Sequence, residues 1–251
     1  MVIQSYNNNI LYSKGGILHM RICGLQKLAM VDYPGKLAAT VFTGGCNLRC
    51  PFCHNALLVT KLAENPESHS TEEVLAFLKS RKGLLDGVVL SGGEPLLQPD
   101  AADFLQAVRD MGYAVKLDTN GCYPEILAGI LERRLVDYVA MDIKNSRERY
   151  ALTVGLPLFD LTPVEESLRL LRESGVDYEL RTTIVKEFHT ANDIRAIGEW
   201  CEGAPHYYLQ NFVDSGNLIA DGCHGVEPLE LQAFAEIALP FFKEVGIRGI
   251  D

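Results

Sequence analysis

Leu37-Ala38-Ala39-Thr40-Val41-Phe42-Thr43-Gly44-Gly45 runs directly into Cys46-Asn47-Leu48-Arg49-Cys50-Pro51-Phe52-Cys53. The first part has the length and apolar composition of a buried strand, and the paired glycines stop it. The second part is Cys-x3-Cys-x2-Cys on one short loop. Seven cysteines stand in 251 residues, and chance places three at this spacing in roughly half a percent of such chains. An odd count in a large chain disfavours a disulfide framework. Three thiolates on a tight loop can bind three corners of a cuboidal iron–sulfur cluster and leave the fourth iron open. An open position marks catalytic rather than closed structural metal sites. The alternative is zinc with His54 as fourth ligand, but His54 follows Cys53 immediately, and adjacent ligands fit one tetrahedron poorly.

Outward from this loop, helical and strand patterns alternate. Ser70 or Thr71 caps a helix through about 80, followed by a strand at Gly87-Val88-Val89-Leu90. A helix at 100–111 precedes a strand from Tyr113 to Leu117, and a helix at 123–133 precedes one at 136–141. Pro163 opens a helix that Gly175 ends. A strand at 178–185, a helix at 191–201, a strand at 207–209 and a helix at 228–239 complete the pattern. Six strands alternating with helices predict an α/β domain with a parallel sheet of right-handed βαβ units. A partly closed barrel and an open doubly wound sheet both satisfy that pattern. Residues 1–19, with three consecutive Asn and no periodicity, read as a flexible leader before a single domain at 20–251. An edge strand at 10–12 is the alternative, and Met20 is a second candidate start.

The formal net charge of −10 argues against sequence-independent binding to nucleic-acid backbone. No window approaches the roughly 18 apolar residues of a membrane span, and the N-terminus lacks a secretory pattern. A cytoplasmic protein that engages neither nucleic acid nor membrane is the expectation.

The chemically loaded segments fall at strand ends, where α/β folds gather ligands. Ser91-Gly92-Gly93-Glu94-Pro95 combines glycines that admit close backbone approach with a carboxylate that can pair with an ammonium. Asp118-Thr119-Asn120-Gly121 and Met141-Asp142-Ile143-Lys144 follow the next two strands. Lys144 can neutralise a ligand carboxylate or simply pair with Asp142. Cys23, Cys122, Cys201 and Cys223 lack cluster spacing and read as ordinary buried thiols. His189, His206 and His224 lack ligand spacing, and Trp200 reads as core.

The cysteine spacing, with an aromatic before the last cysteine, resembles the radical S-adenosylmethionine (SAM) superfamily. Asp32-Tyr33-Pro34-Gly35 and the run from Phe42 to Asn55 resemble the activating proteins of anaerobic ribonucleoside-triphosphate reductases. The likeness is densest over 24–60 and weakens after 150. It implies a single-domain partial (β/α)6-type barrel of parallel strands. It also implies a 4Fe-4S cluster on Cys46, Cys50 and Cys53, whose open iron chelates the methionine amine and carboxylate of SAM. One electron would then release a 5′-deoxyadenosyl radical. By resemblance, Gly92, Gly93 and Glu94 hold the methionine ammonium. Asp118, Thr119 and Asp142 hold a monovalent cation near the cofactor carboxylate. Lys144 and Gln210 reach the cofactor and Arg181 the cofactor or the partner peptide, although a barrel ion pair explains Arg181 equally well.

The implied function is an activase: the radical takes a hydrogen atom from a backbone glycine of an anaerobic ribonucleotide reductase. A low-potential donor such as flavodoxin or ferredoxin would supply the electron. The alternative is a radical enzyme acting on a nucleotide or carbohydrate, which needs a closed polar pocket. The loops at 145–162 and 212–226 are where one would form.

Overall fold

The computed structural model describes residues 20–60, 62, 68–214 and 216–249. The expected leader at 1–19 lies outside the described residues, as does the alternative strand at 10–12. Among the described residues, one sheet contains eight strands in chain order. These are β1 (Ile22–Ala29), β2 (Ala38–Thr43), β3 (Gly87–Gly92), β4 (Ala114–Thr119), β5 (Tyr138–Asp142), β6 (Asp177–Ile184), β7 (His206–Asn211) and β8 (Glu244–Arg248). β1 is antiparallel to β2, and every later pair is parallel.

This order decides what the element pattern left open. A doubly wound sheet requires a point where strand order reverses. Here each unit adds its strand on the same side as the last, and the sheet winds as a barrel. No ladder joins β8 to β1 among the described residues, which leaves the barrel partial. The helices are α1 (Ala56–Val59), α2 (Thr71–Ser80), α3 (Ala101–Asp110), α4 (Pro124–Glu132), α5 (Tyr150–Thr153), α6 (Thr162–Ser174), α7 (Ala191–Cys201) and α8 (Pro228–Ala238). Ser70 and Glu73 close a capping box on α2, and Thr190 and Asp193 close one on α7, each satisfying two otherwise orphaned N–H groups. No helix among the described residues is long and apolar enough to cross a membrane.

The strands are not uniformly apolar. Val115 and Leu117 of β4, Val139 and Met141 of β5, Leu180 and Ile184 of β6, and Tyr207 and Leu209 of β7 pack into the core shared with the helices. Because successive side chains alternate between faces, the residues between them point into the barrel. These are Lys116, Asp118, Asp142, Glu179, Arg181, Thr183 and Gln210. Burying each Val or Leu contributes about 1.5–3 kcal/mol, so the outer face holds the barrel together and frees the lumen for polar groups. Near the base of the lumen, Glu179 accepts two bonds from Arg248 at 2.8 and 2.9 Å and one from Tyr138 at 3.0 Å.

Two strands depart from the expected six. β1 carries Gly24, Gln26 and Lys27, which break its apolar run because an edge strand is only partly covered. β8 is short and half-buried, with Val245 and Ile247 alone facing the core.

Candidate active site

The cysteine loop leaves the end of β2 and is pinned from several directions. Gly45 N–H donates to Leu58 O at 2.7 Å, Arg49 N–H to Val154 O at 2.9 Å, and Ala220 N–H to Pro51 O at 3.0 Å. Segments near 154 and 220 therefore brace the loop. Cys46, Cys50 and Cys53 line one cavity of about 300 Å³ at the carboxyl ends of the strands. Burial pushes the Cys46 thiol up to about 11 and the Cys50 thiol up to about 12, and it raises Cys53 as well. Nearby Lys144 acts against that rise in all three. The empty-handed thiols are therefore neutral near pH 7, and binding iron would exchange their protons for metal.

The residues present fit a cluster. Three soft ligands share a cavity, and Cys46 Sγ already accepts from Leu48 N–H at 3.4 Å and from Asn120 Nδ2 at 3.7 Å. Such donors suit a thiolate carrying metal charge. No three His, Cys, Asp or Glu side chains among the described residues yet surround one point. His54 lines the same cavity with its ring 5.0 Å from that of Phe212, and burial lowers its pKa.

Beside the loop, Gly92 adopts φ +124° and Gly93 sits against Gly45. A β-carbon on Gly92 would lie 2.2 Å from Thr43 N, and one on Gly93 would lie 1.9 Å from Gly45 O. Only glycine permits that approach. Asn55 Nδ2 donates to Gly92 O at 3.1 Å and ties the end of the cysteine loop to the same turn.

Glu94 is placed differently from its expected role beside an ammonium. Its side chain is fully buried, outside the cavity lining. It accepts from Leu96 N–H at 3.0 Å, Thr119 Oγ1 at 2.8 Å and Asn120 N–H at 2.7 Å. Burial pushes its pKa up to about 7, against the pull of those donors. Glu94 is thus a brace that locks the end of β4 beneath the cavity.

Across the lumen, Arg181 Nε donates to Asp142 Oδ1 at 3.0 Å and Arg181 NH1 to Asp118 Oδ2 at 3.2 Å. Lys116 Nζ meets Asp118 Oδ1 at 2.7 Å, and Lys144 Nζ meets Asp142 Oδ2 at 2.8 Å. Burial alone would raise both carboxyls. Arg181 and Lys144 outweigh it at Asp142, which falls to about 2, while Arg181 and Lys116 lower Asp118. Both carboxylates are charged, and three cations face two anions. The surplus positive charge lies where Lys144 and Arg181 line the cavity. A ligand carboxylate there would complete the balance.

The expected cation ligands do not converge in this arrangement. Asp118 and Asp142 are occupied by side-chain cations, and the Thr119 hydroxyl donates to Glu94. Gln210 is exposed at the cavity rim. Neighbouring Asn211 instead bridges Val226 N–H and C=O, both at 3.0 Å. Cys23, Cys201 and Cys223 are buried and Cys122 is half-buried. His189 donates or accepts at the backbone of Lys144 and Val185, His206 meets Glu244, His224 meets Glu187, and Trp200 packs on Tyr150.

Lys116 is the site residue that sequence reasoning passed over. Its signal was present: a lysine two positions before Asp118, inside an otherwise apolar strand, must find an anion on the same face.

Residues 40–201 match the radical SAM superfamily. A protein of Methanocaldococcus jannaschii named as a glycyl-radical enzyme activating enzyme is 32% identical over 92% of this chain and 96% of its own length. The pyruvate formate-lyase-activating enzyme of Clostridium pasteurianum is 36% identical over 50% of this chain and 52% of its own. In fold, the chain is similar to Streptococcus suis SuiB bound to S-adenosylmethionine. That likeness has a TM-score of 0.63, at 15% identity, over 80% of this chain and 48% of that one. This family uses a 4Fe-4S cluster and S-adenosylmethionine. The chain is a radical SAM enzyme and belongs with the glycyl-radical enzyme activating enzymes.

Proposed function

We propose that Cys46, Cys50 and Cys53 hold the 4Fe-4S cluster, and that the enzyme installs the glycyl radical of an anaerobic ribonucleotide reductase. The observation that carries the site is the sharing of one cavity by the three thiols, the Gly92-Gly93 backbone, and the Lys144 and Arg181 cations. A cluster held by Cys46, Cys50 and Cys53 would pass one electron, from a donor such as flavodoxin or ferredoxin, to the sulfonium of S-adenosylmethionine. That chemistry would yield methionine and a 5′-deoxyadenosyl radical able to take a hydrogen atom from the partner glycine.

The chain's own groups divide the remaining tasks. Gly92 and Gly93 bring bare backbone beside the cluster loop, where an ammonium can meet carbonyl oxygen without a side chain between. Lys144 and Arg181 neutralise the methionine carboxylate and are themselves aimed by Asp142 and Asp118. Gln210 stands at the rim where the adenosine end would lie. The choice of partner rests on the motifs Asp32-Tyr33-Pro34-Gly35 and Phe42 to Asn55.

The test is anaerobic. Reconstituted, reduced protein and S-adenosylmethionine are mixed in turn with anaerobic ribonucleotide reductase and pyruvate formate-lyase from the same source, and the electron paramagnetic resonance spectrum is recorded. A glycyl doublet with the reductase alone supports the proposal. A doublet only with the lyase reassigns the partner. Absence of 5′-deoxyadenosine from a fully loaded cluster refutes the site.

A further inference from the structure

Asn120 is 5% exposed and follows Thr119 at the end of β4, on the floor of the cavity. Every polar group of its side chain is engaged. Nδ2 donates to Asn47 Oδ1 at 2.8 Å and to Cys46 Sγ at 3.7 Å, while Oδ1 accepts from Cys122 N–H at 3.0 Å. These partners determine the orientation of the amide. Flipping it would set oxygen against Asn47 Oδ1 and nitrogen against the Cys122 N–H, with two like-on-like contacts. The backbone N–H of Asn120 is held in turn by buried Glu94 at 2.7 Å. The donor is therefore positioned before any cluster arrives.

We infer that Asn120 is a positioning residue that directs a side-chain N–H at the Cys46 sulfur and thereby sets the reduction potential of the cluster. The sign follows from charge. A four-iron cluster with three thiolates gains one negative charge on reduction, and a donor at a ligand sulfur stabilises the more negative state. Asn120 thus makes the one-electron step less demanding of the donor. Leu48 N–H donates to the same sulfur at 3.4 Å, but it belongs to the loop backbone and accompanies any side-chain change. No other donor to a sulfur of the cluster loop comes from outside that loop among the described residues.

The inference rests on the assignment of the cluster to Cys46, Cys50 and Cys53, and the experiment separates the two. Wild type, Asn120→Ala, Asn120→Asp and Asn47→Ala are reconstituted, assayed for iron and sulfide, and titrated electrochemically while the reduced-cluster resonance is followed. Removing the donor in Asn120→Ala is expected to disfavour reduction about tenfold, a fall of about 59 mV for one electron. Asn120→Asp keeps the acceptor for Cys122 and adds negative charge, so its potential should fall further. Asn47→Ala cuts the loop tie but keeps the sulfur donor, so it should change the equilibrium less than about threefold, under the ~59 mV that marks tenfold. Potentials of both Asn120 variants within threefold of wild type, or an Asn47→Ala shift equal to that of Asn120→Ala, would overturn the inference. Should the alanine variant fail to load, Asn120→Leu, near-isosteric and uncharged, takes its place and must show the same fall. A wild-type protein that takes up no iron fails the cluster assignment instead.

Discussion

Replacing Glu94 with Gln tests whether the buried brace carries a proton. In the native chain both carboxyl oxygens accept, Oε1 from Leu96 and Thr119 and Oε2 from Asn120, and a protonated oxygen keeps a lone pair with which to go on accepting. Gln supplies one accepting oxygen and one NH2, so the Asn120 N–H, or the Leu96 and Thr119 donors, face a donor. Leaving a buried donor unsatisfied costs about 1–3 kcal/mol. Against this stands the cost of ionising a fully buried carboxyl, whose pKa rises from 4.5 to about 7. At about 1.4 kcal/mol per pH unit, that rise is worth about 3 kcal/mol. The sign is that of an acid with a raised folded-state pKa. Its contribution to stability is fully present below pH 4.5 and is lost as pH rises through about 7. Gln does not titrate. Wild type should therefore be the more stable protein near pH 5, and the gap should close, or reverse, by pH 8. For a chain of this size, about 3 kcal/mol corresponds to about 6–12 °C in Tm. Paired thermal unfolding of the two metal-free proteins between pH 5 and 8, followed by circular dichroism, reads the difference and cancels the histidines common to both. A gap that stays constant or widens with pH would show that Glu94 ionises normally and would refute the reasoning.

Three further outcomes follow from the site. Gly93→Ala places a methyl 1.9 Å from the Gly45 carbonyl, so the cysteine loop must move; a loss of at least about 3 kcal/mol and poor cluster uptake are expected by denaturant unfolding and iron assay. Arg181→Met leaves Asp118 and Asp142 short of their shared cation, at a cost of about 3–5 kcal/mol. Asp142 has a depressed pKa, so its stabilising contribution is present above 3.8 and lost as pH falls through about 2. Removing Arg181 should move acid unfolding to higher pH, which a fluorescence-monitored acid titration would show. Cys50→Ala should abolish iron uptake, whereas Cys201→Ala, in a fully buried core position on α7, should retain it and lose only about 1–3 kcal/mol. Equal iron content in the two would remove Cys50 from the ligand set.

The sequence alone determined the alternating elements, the single cysteine cluster and the gathering of Gly92-Gly93, Asp118, Asp142 and Lys144 at strand ends. Those signals are local: an apolar period, a spacing, a turn chemistry and a cap are all written within a dozen residues. It also contained the polar lumen in the alternation Val115-Lys116-Leu117-Asp118 and Glu179-Leu180-Arg181, because a strand sends successive side chains to opposite faces. Only the tertiary structure decided between barrel and doubly wound sheet, since strand order depends on pairings between segments far apart in the chain. β1 and β8 escaped for the same reason: as edges they bury little, and their apolar pattern is correspondingly weak. Which group each buried charge would meet was equally invisible. An isolated Glu94 looks like a candidate ammonium ligand, and an isolated Arg181 looks like either a cofactor contact or an ion pair. Folding turned Glu94 beneath the floor to hold Asn120, and it set Arg181 between Asp118 and Asp142 with its remaining face on the cavity. A buried charge takes whichever counter-charge the completed barrel brings within reach.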